Sequence, residues 1–255
     1  NNKIVKTFKD EQGNSAKLEQ KIAGGNIVVR YDEGGSYGDM YALDFRRNDD
    51  GSIWLSSEGA PQVSMTDFVY LGNMNSKFQL GWGNTLSWKD FSLYFLINGR
   101  IGGKVVSLTE AYLDYQGVSK RVGDARDYAA AHNLMWTSPD GSVTKPAMVM
   151  PDGNLAPIQE YYQAVGGNFM GSQYVYDATN FRLAELSLGY TFRNLFGGVI
   201  RNLSLSVIGR NLFFIYKDAP VDPDIALSTK NGLGAFDIFN MPATRSIGVN
   251  LKIDF

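Results

Sequence analysis

Along the last nine residues the side chains alternate between two chemistries. Ile247, Val249, Leu251, Ile253 and Phe255 are apolar; Gly248, Asn250, Lys252 and Asp254 between them are small or charged. A period of two marks a strand with one greasy face. The pattern recurs at Phe78, Leu80, Trp82, Leu86 and Trp88, at Phe91, Leu93, Phe95 and Ile97, at Ala184, Leu186, Leu188, Tyr190 and Phe192, and at Leu203, Leu205 and Val207. Near the start, Tyr37, Tyr41, Leu43 and Phe45 share one parity. The residues between the apolar ones constrain the fold more: they are chiefly Gly, Ser, Thr, Asn and Gln. Small polar residues on one face, with aromatics toward the ends of the other, suit a wet lumen inside a lipid-facing wall. Alternation alone would also serve a secreted, carbohydrate-binding β-sandwich or a small self-standing outer-membrane barrel.

Nine strands are expected, near residues 3–9, 17–30, 37–47, 51–56, 77–89, 90–101, 179–192, 201–215 and 242–255. Their links alternate in length. Residues 10–16, 48–50, 89–90 and 193–200 are short links, and 57–76, 102–178 and 216–241 are long; only 31–36 breaks the trend. Short turns on one rim and long loops on the other are the habit of outer-membrane barrels. The 102–178 loop carries structure of its own. Residues 109–114 read as a capped helical turn, 124–132 as an Ala-rich helix, and 138–141 and 150–153 as turns, while Tyr161 and Tyr162 open a short helix. So long a loop is usually functional.

Composition removes chemistry. The 255 residues include no Cys and one His. Disulfides, thiolate metal sites and two-histidine metal motifs are therefore excluded. His132 follows three alanines with no serine elbow nearby and reads as a loop or helix-surface residue. Asp49, Asp50, Asp140 and Asp152 lie in turn sequences beside glycines, so no catalytic role is assigned to them, and no cofactor is expected. A net charge of -2 argues against a nucleic-acid partner. There is no apolar run of transmembrane-helix length. The chain opens Asn1-Asn2-Lys3, without Met or an apolar leader, so processing or a longer parent chain is expected.

An ordered set of motifs resembles a known family. They are Gly72-Asn73 followed by Lys77-Phe78; Gly83-Asn84-Thr85-Leu86-Ser87-Trp88-Lys89; Asn98-Gly99-Arg100-Ile101-Gly102-Gly103-Lys104; residues 180–190; Gly209-Arg210-Asn211-Leu212-Phe213; Asp222-Pro223-Asp224; and Pro242-Ala243-Thr244-Arg245 before the terminal strand. Together they resemble the C-terminal barrel segment of SusC/RagA-type TonB-dependent outer-membrane transporters. The resemblance implies an all-β, antiparallel transmembrane barrel of 22 strands, of which this chain holds about nine. Plug and earlier strands would lie elsewhere in the transporter, where TonB would engage it. A SusD-like surface lipoprotein would cover the mouth, and the cargo would be glycan oligomers or peptides.

Candidate contact residues for cargo or lid are Trp136, Tyr161, Tyr162, Tyr174 and Tyr176, as exposed aromatic platforms; packing of the loop against itself is the alternative. Asp222 and Asp224 are weak candidates for a cation, beside the plainer reading of a Pro-fixed turn. Ile247, Val249, Leu251, Ile253 and Phe255 form the expected C-terminal insertion signal. Parity places Arg182 with the lipid-facing set at the outer end of its strand, where it would snorkel. Glu185 is expected to face the lumen and to find Arg210 or Lys252.

Overall fold

The structure is a computed structural model that describes residues 3–9, 11–15, 18–195, 199–224 and 233–254. In chain order, β1 (Glu19–Ile22), β2 (Ile27–Arg30), β3 (Asp39–Phe45) and β4 (Val63–Asn73) precede the long pair β5 (Phe78–Trp88) and β6 (Phe91–Ile101). Next come β7 (Lys104–Ser107), α1 (Leu108–Tyr115), α2 (Lys120–His132), β8 (Met135–Thr137), β9 (Thr144–Val149), β10 (Leu155–Pro157), α3 (Ile158–Gly167) and β11 (Val175–Asp177). The chain closes with β12 (Asn180–Leu195), β13 (Ile200–Lys217), β14 (Phe236–Asp237) and β15 (Ser246–Asp254). Two compact units result. A loop unit comprises Asn1–Met74, Lys104–Tyr176 and Ala226–Phe239, and a sheet unit comprises Asn75–Gly103, Asp177–Ile225 and Asn240–Phe255.

The sheet unit is one antiparallel sheet in the order β15-β13-β12-β6-β5. Register carries each strand's alternation into the next. Leu86 opposes Leu93, Leu93 opposes Leu188, Leu188 opposes Val207, and Val207 opposes Val249. One face is therefore a continuous apolar field, and it is uncovered within the unit: Trp82 is 59% exposed and Val249 69%. The opposite face carries Gly83, Thr85 and Ser87, then Ser92 and Tyr94, Ser187 and Gly189, Ser204 and Ser206, Asn250 and Lys252. The turn at Lys89 and Asp90 and the β12–β13 connection close one end; the two long excursions leave from the other. The described residues form an open sheet rather than a closed barrel. Phe255 lies outside the described residues.

Six of the nine expected strands are found, five of them as the sheet. The sixth, β3, sits in the loop unit. Residues 3–9 and 51–56 make only isolated bridges, such as Lys9 to Ser15 and Arg47 to Ile53. The expected strand at 17–30 is two, because Gly24 and Gly25 take positive φ and turn the chain between β1 and β2. The expected link at 57–76 contains the eleven-residue strand β4, which pairs with β3. Its polar and apolar residues are mixed on both parities, so no alternation betrays it.

The loop unit has a conventional core. β1–β4 form an antiparallel sheet whose Ile27, Val29, Met40, Ala42 and Phe45 are buried in one cluster with Ala111 of α1, Ala129 of α2, and Tyr161 and Val165 of α3. The three helices match the helices expected in the loop, with Ser107 and Ser119 capping α1 and α2 through side-chain oxygens that accept from Glu110 N and Val122 N. Two short sheets, β10-β9-β8 and β11-β7-β14, complete it.

α3 approaches α1 so closely that a Cβ on Gly166 would sit 2.4 Å from the Ala111 carbonyl oxygen and 2.7 Å from Tyr115 N. Both are backbone atoms and cannot swing aside. Gly123 in α2 has nothing within 4 Å of such a Cβ. Gly166→Ala should therefore destabilise the unit by about 1–3 kcal/mol, and Gly123→Ala should stabilise it by about 0.5–1 kcal/mol. Denaturant unfolding followed by amide exchange in the helices checks this; two changes of the same sign would contradict the packing described.

Candidate functional site

The small-polar face of the sheet unit gathers charge at the end from which the long excursions leave. Gln79, Arg100 and Asn180 stand opposite one another on β5, β6 and β12, and Gly81, Asn98 and Arg182 form the next row. The Asp222-Pro223-Asp224 segment closes over them. Arg182 Nη2 donates to Asp222 Oδ1 at 2.7 Å and to Asp224 Oδ2 at 3.1 Å. Arg100 Nη1 donates to the Pro223 carbonyl at 3.1 Å, and Asn180 Nδ2 donates to Asp224 Oδ1 at 3.2 Å. Within the segment, Asp224 N donates to Asp222 Oδ1, an Asx turn. Arg182 also lies 4.3 Å over the Phe214 ring. Its side chain and that of Asp222 are mostly buried, so these charge-assisted bonds are little screened by solvent.

Arg182 thus faces the small-polar side, not the apolar side to which parity assigned it. Pairing slips between Leu183 and Glu185: Leu183 opposes Ile97, but Glu185 opposes Leu96. The extra residue, Ala184, is a bulge that exchanges the faces on either side of it. Past the bulge the expected alternation holds, and Glu185 Oε2 accepts from Arg210 Nε at 3.2 Å. Asp222 and Asp224, the weak cation candidates, are taken up by arginines. Among the described residues no cluster of three His, Cys, Asp or Glu could hold a metal.

The five aromatic candidates all fall in the loop unit. Tyr161, Tyr162 and Tyr174 are buried, and Trp136 and Tyr176 are half-buried. For the three buried rings the structure shows packing of the loop against itself rather than an exposed platform. The organiser is Asp114, whose carboxylate is fully buried and accepts from Ser119, Arg121 and the Tyr174 hydroxyl. Arg121 also lies 4.9 Å over the Tyr174 ring and 5.6 Å over Tyr162. Tyr176 donates to Glu110. Exposed rings of the loop unit include Tyr112, Tyr115, Tyr128 and Phe239, for which alternation carried no signal; Tyr112 and Phe239 meet edge to face at 5.4 Å. Helical spacing of Tyr112 and Tyr115 was the available clue. His132 closes α2, exposed and stacked on Tyr128.

Burial raises all four buried or half-buried phenols above the ordinary value of 10.0; the Asp114 charge adds to this at Tyr174 and the Glu110 hydrogen bond at Tyr176. A value raised on folding contributes stability that is complete below the unfolded value and is lost as pH rises through the folded one. The loop unit should hold its stability up to about pH 10 and lose it as pH rises further and these phenols ionise. Tyrosinate absorbance recorded during alkaline unfolding checks this. Ionisation of every tyrosine near pH 10 before any unfolding would contradict it.

No protein-family model matches the chain. "TonB-dependent receptor P3" of Formosa agariphila aligns with it over 212 residues at 23% identity, which is 80% of this chain and 19% of the receptor. Among solved structures, a chain of the RagAB peptide importer in its open-open state shares the fold over 93% of this chain, with a TM-score of 0.58 and 15% identity; the closed-closed state gives 0.54 over 92%. The chain spans about a fifth of the receptor's length and about a quarter of the importer chain's. Neither name describes an enzyme. No helix among the described residues is long and apolar enough to cross a membrane, which says nothing of strands. The resemblance carried by the motifs stands: over most of its length the chain is similar to a fragment of a TonB-dependent transporter.

Proposed function

We propose that this chain is the C-terminal part of a TonB-dependent importer of the bacterial outer membrane. The five strands of the sheet unit belong to the wall of a 22-stranded barrel, their apolar face on lipid and their small-polar face on the lumen. The long loops 102–178 and 216–241 are outer loops that contact cargo and a SusD-like surface lipoprotein. TonB acts on another part of the same transporter. The cargo is a large nutrient, a glycan oligomer or a peptide, and the chain performs no covalent chemistry.

One observation carries this reading: the sheet keeps a continuous apolar face that nothing in its own unit covers. Fields of that size mark an interface or a membrane. Its height also fits. β5 runs ten steps from Phe78 to Trp88; at about 3.3 Å per step and a tilt of about 45°, that is about 23 Å, against an apolar band of about 25 Å in such barrels. Rings gather toward the turn end, where Phe91, Tyr190 and Phe192 lie in edge-to-face contact at 4.6 Å each, as interfacial aromatics do. The edge strands β5 and β15 need pairing partners in lipid, and neighbouring wall strands supply them.

Leu186 lies on the apolar face near mid-height, opposite Phe95 and Gly209, and Ser187 points to the other side. Leu186→Arg should cost about 2–4 kcal/mol of folding in the membrane and Ser187→Arg little. Heat-modifiable migration of the full-length protein from outer-membrane fractions reads both. Equal insertion of the two variants, or a chain that is monodisperse without detergent, would defeat the proposal.

A further inference from the structure

Beyond β13, residues 218–224 fold back onto Arg100, Asn180 and Arg182 of the polar face, with Ala219 only 2% exposed and Pro223 buried. We propose that this strap is a latch: an autoinhibitory contact, locked by the carboxylates of Asp222 and Asp224, that shuts one end of the polar face until Arg182 releases it. What it shuts rests on the transporter reading, in which that face lines a lumen; the latch itself does not.

Attachment is the first argument. Among the described residues no backbone–backbone hydrogen bond ties residues 218–224 to a strand. Pro220 and Pro223 have no N–H to give. Side chains hold the strap instead. Arg182 Nη2 donates to both carboxylates, Asn180 Nδ2 to Asp224, and Arg100 Nη1 to the Pro223 carbonyl. Lys217 Nζ reaches back to the Pro220 carbonyl at 3.1 Å and the Val221 carbonyl at 3.5 Å. A segment fastened by side chains leaves without unzipping a ladder, so β6, β12 and β13 keep their pairing whether it is on or off. Pro223 and the Asx turn hold the two carboxylates together as one stiff unit.

The uneven grip is the second argument. Asp222, 11% exposed, meets Arg182 at 2.7 Å and is the firm half. Asp224 is the loose half: it is 41% exposed, 3.1 Å from Arg182 and 3.9 Å from Arg100. It borders an open cavity of roughly 500 Å³ shared with Gln79, Gly81 and Asn98, so this half of the strap is not packed in. The strand is shaped to present the arginine. Pairing of β12 with β13 slips on both sides of Arg182, between Phe181 and Arg182 and between Leu183 and Glu185. Arg182 Nε is buried there without a partner. Burying an N–H unpaired costs free energy and offsets part of what the carboxylates contribute. The closed state is therefore held by a margin that one substitution removes.

The test is maleimide labelling of the full-length protein in detergent. These 255 residues hold no Cys, so Ala219→Cys places a single thiol in the strap, and its labelling is counted over that of the parent protein. The new thiol should resist the reagent. Arg182→Gln should raise its labelling rate about tenfold, as the loss of one charge-assisted bond does. Asp222→Asn should raise it likewise and alters a residue outside the strands, so it reads the latch even where Arg182→Gln disturbs β12. The two together should label no faster than Arg182→Gln, because both break the same bond. Arg210→Gln, which breaks the Glu185 pair on the same face, should leave the thiol protected. Heat-modifiable migration verifies the fold of each variant. A thiol that labels freely with the latch intact, that stays protected in both latch variants, or that responds equally to Arg210→Gln overturns the proposal. If instead the transporter reading is at fault, Leu186→Arg inserts as well as Ser187→Arg while the labelling pattern stands.

Discussion

Register is the constraint from which the sheet unit follows. In an antiparallel sheet, a slip of one residue carries every side chain of a strand to the other face. Here five strands agree, so that Leu93, Leu188, Val207 and Val249 fall on one side and Ser92, Gly189, Ser206 and Gly248 on the other. The departure between Leu183 and Glu185 is used rather than tolerated. The extra residue at Ala184 lets Leu183 and Leu186 both point to the apolar face, and the same insertion turns Arg182 inward to Asp222 and Asp224. Without the bulge an arginine would stand on the apolar field at the end of the strand. With it, that arginine pins the Asp222-Pro223-Asp224 segment.

The loop unit solves a different problem. Its strands β1–β3 are short, and the buried residues of its sheet are covered by helices inserted between β6 and β12. A buried carboxylate would be costly there without partners. Asp114 has three, Ser119, Arg121 and Tyr174, drawn from α2, its cap and the segment after α3. The charge therefore acts as a tie between segments far apart in sequence, and the tyrosines that contribute hydroxyls and ring faces to it are interior residues.

The sheet unit was legible because polarity there has one cause. A residue faces either the apolar or the polar side, and alternation reports which, as at Phe78–Trp88 and Ser246–Asp254. Legibility failed where a residue answers to more than that. Val63–Asn73 packs one part of its length on a core and leaves another in solvent, so Met65 and Tyr70 are exposed while Ser64 and Leu71 are buried. Arg182 could be placed only by knowing of the bulge, which leaves no mark in the local pattern. Tyr161, Tyr162 and Tyr174 look like surface platforms when counted as polar aromatics in a loop. Their burial depends on Asp114 and Arg121, and that partnership is set by tertiary structure. The capped helices and the Pro-Asp-Gly turns were readable because caps and turns are local chemistry.

The claim on which the rest depends is that the continuous apolar face of the five-stranded sheet meets lipid hydrocarbon. The chain has four tryptophans, and they fall on opposite sides of that claim: Trp82 and Trp88 on the apolar face, Trp54 and Trp136 in the loop unit. Single-tryptophan versions of the full-length protein, reconstituted in bilayers whose acyl chains carry bromine at defined depths, report contact with lipid through fluorescence quenching. Trp82 should be quenched most by bromine deep in the bilayer and Trp88 by bromine near the headgroups, while Trp54 and Trp136 stay bright. Trp82 as bright as Trp54 at every depth would show that the apolar face is covered by protein, and the account would fail.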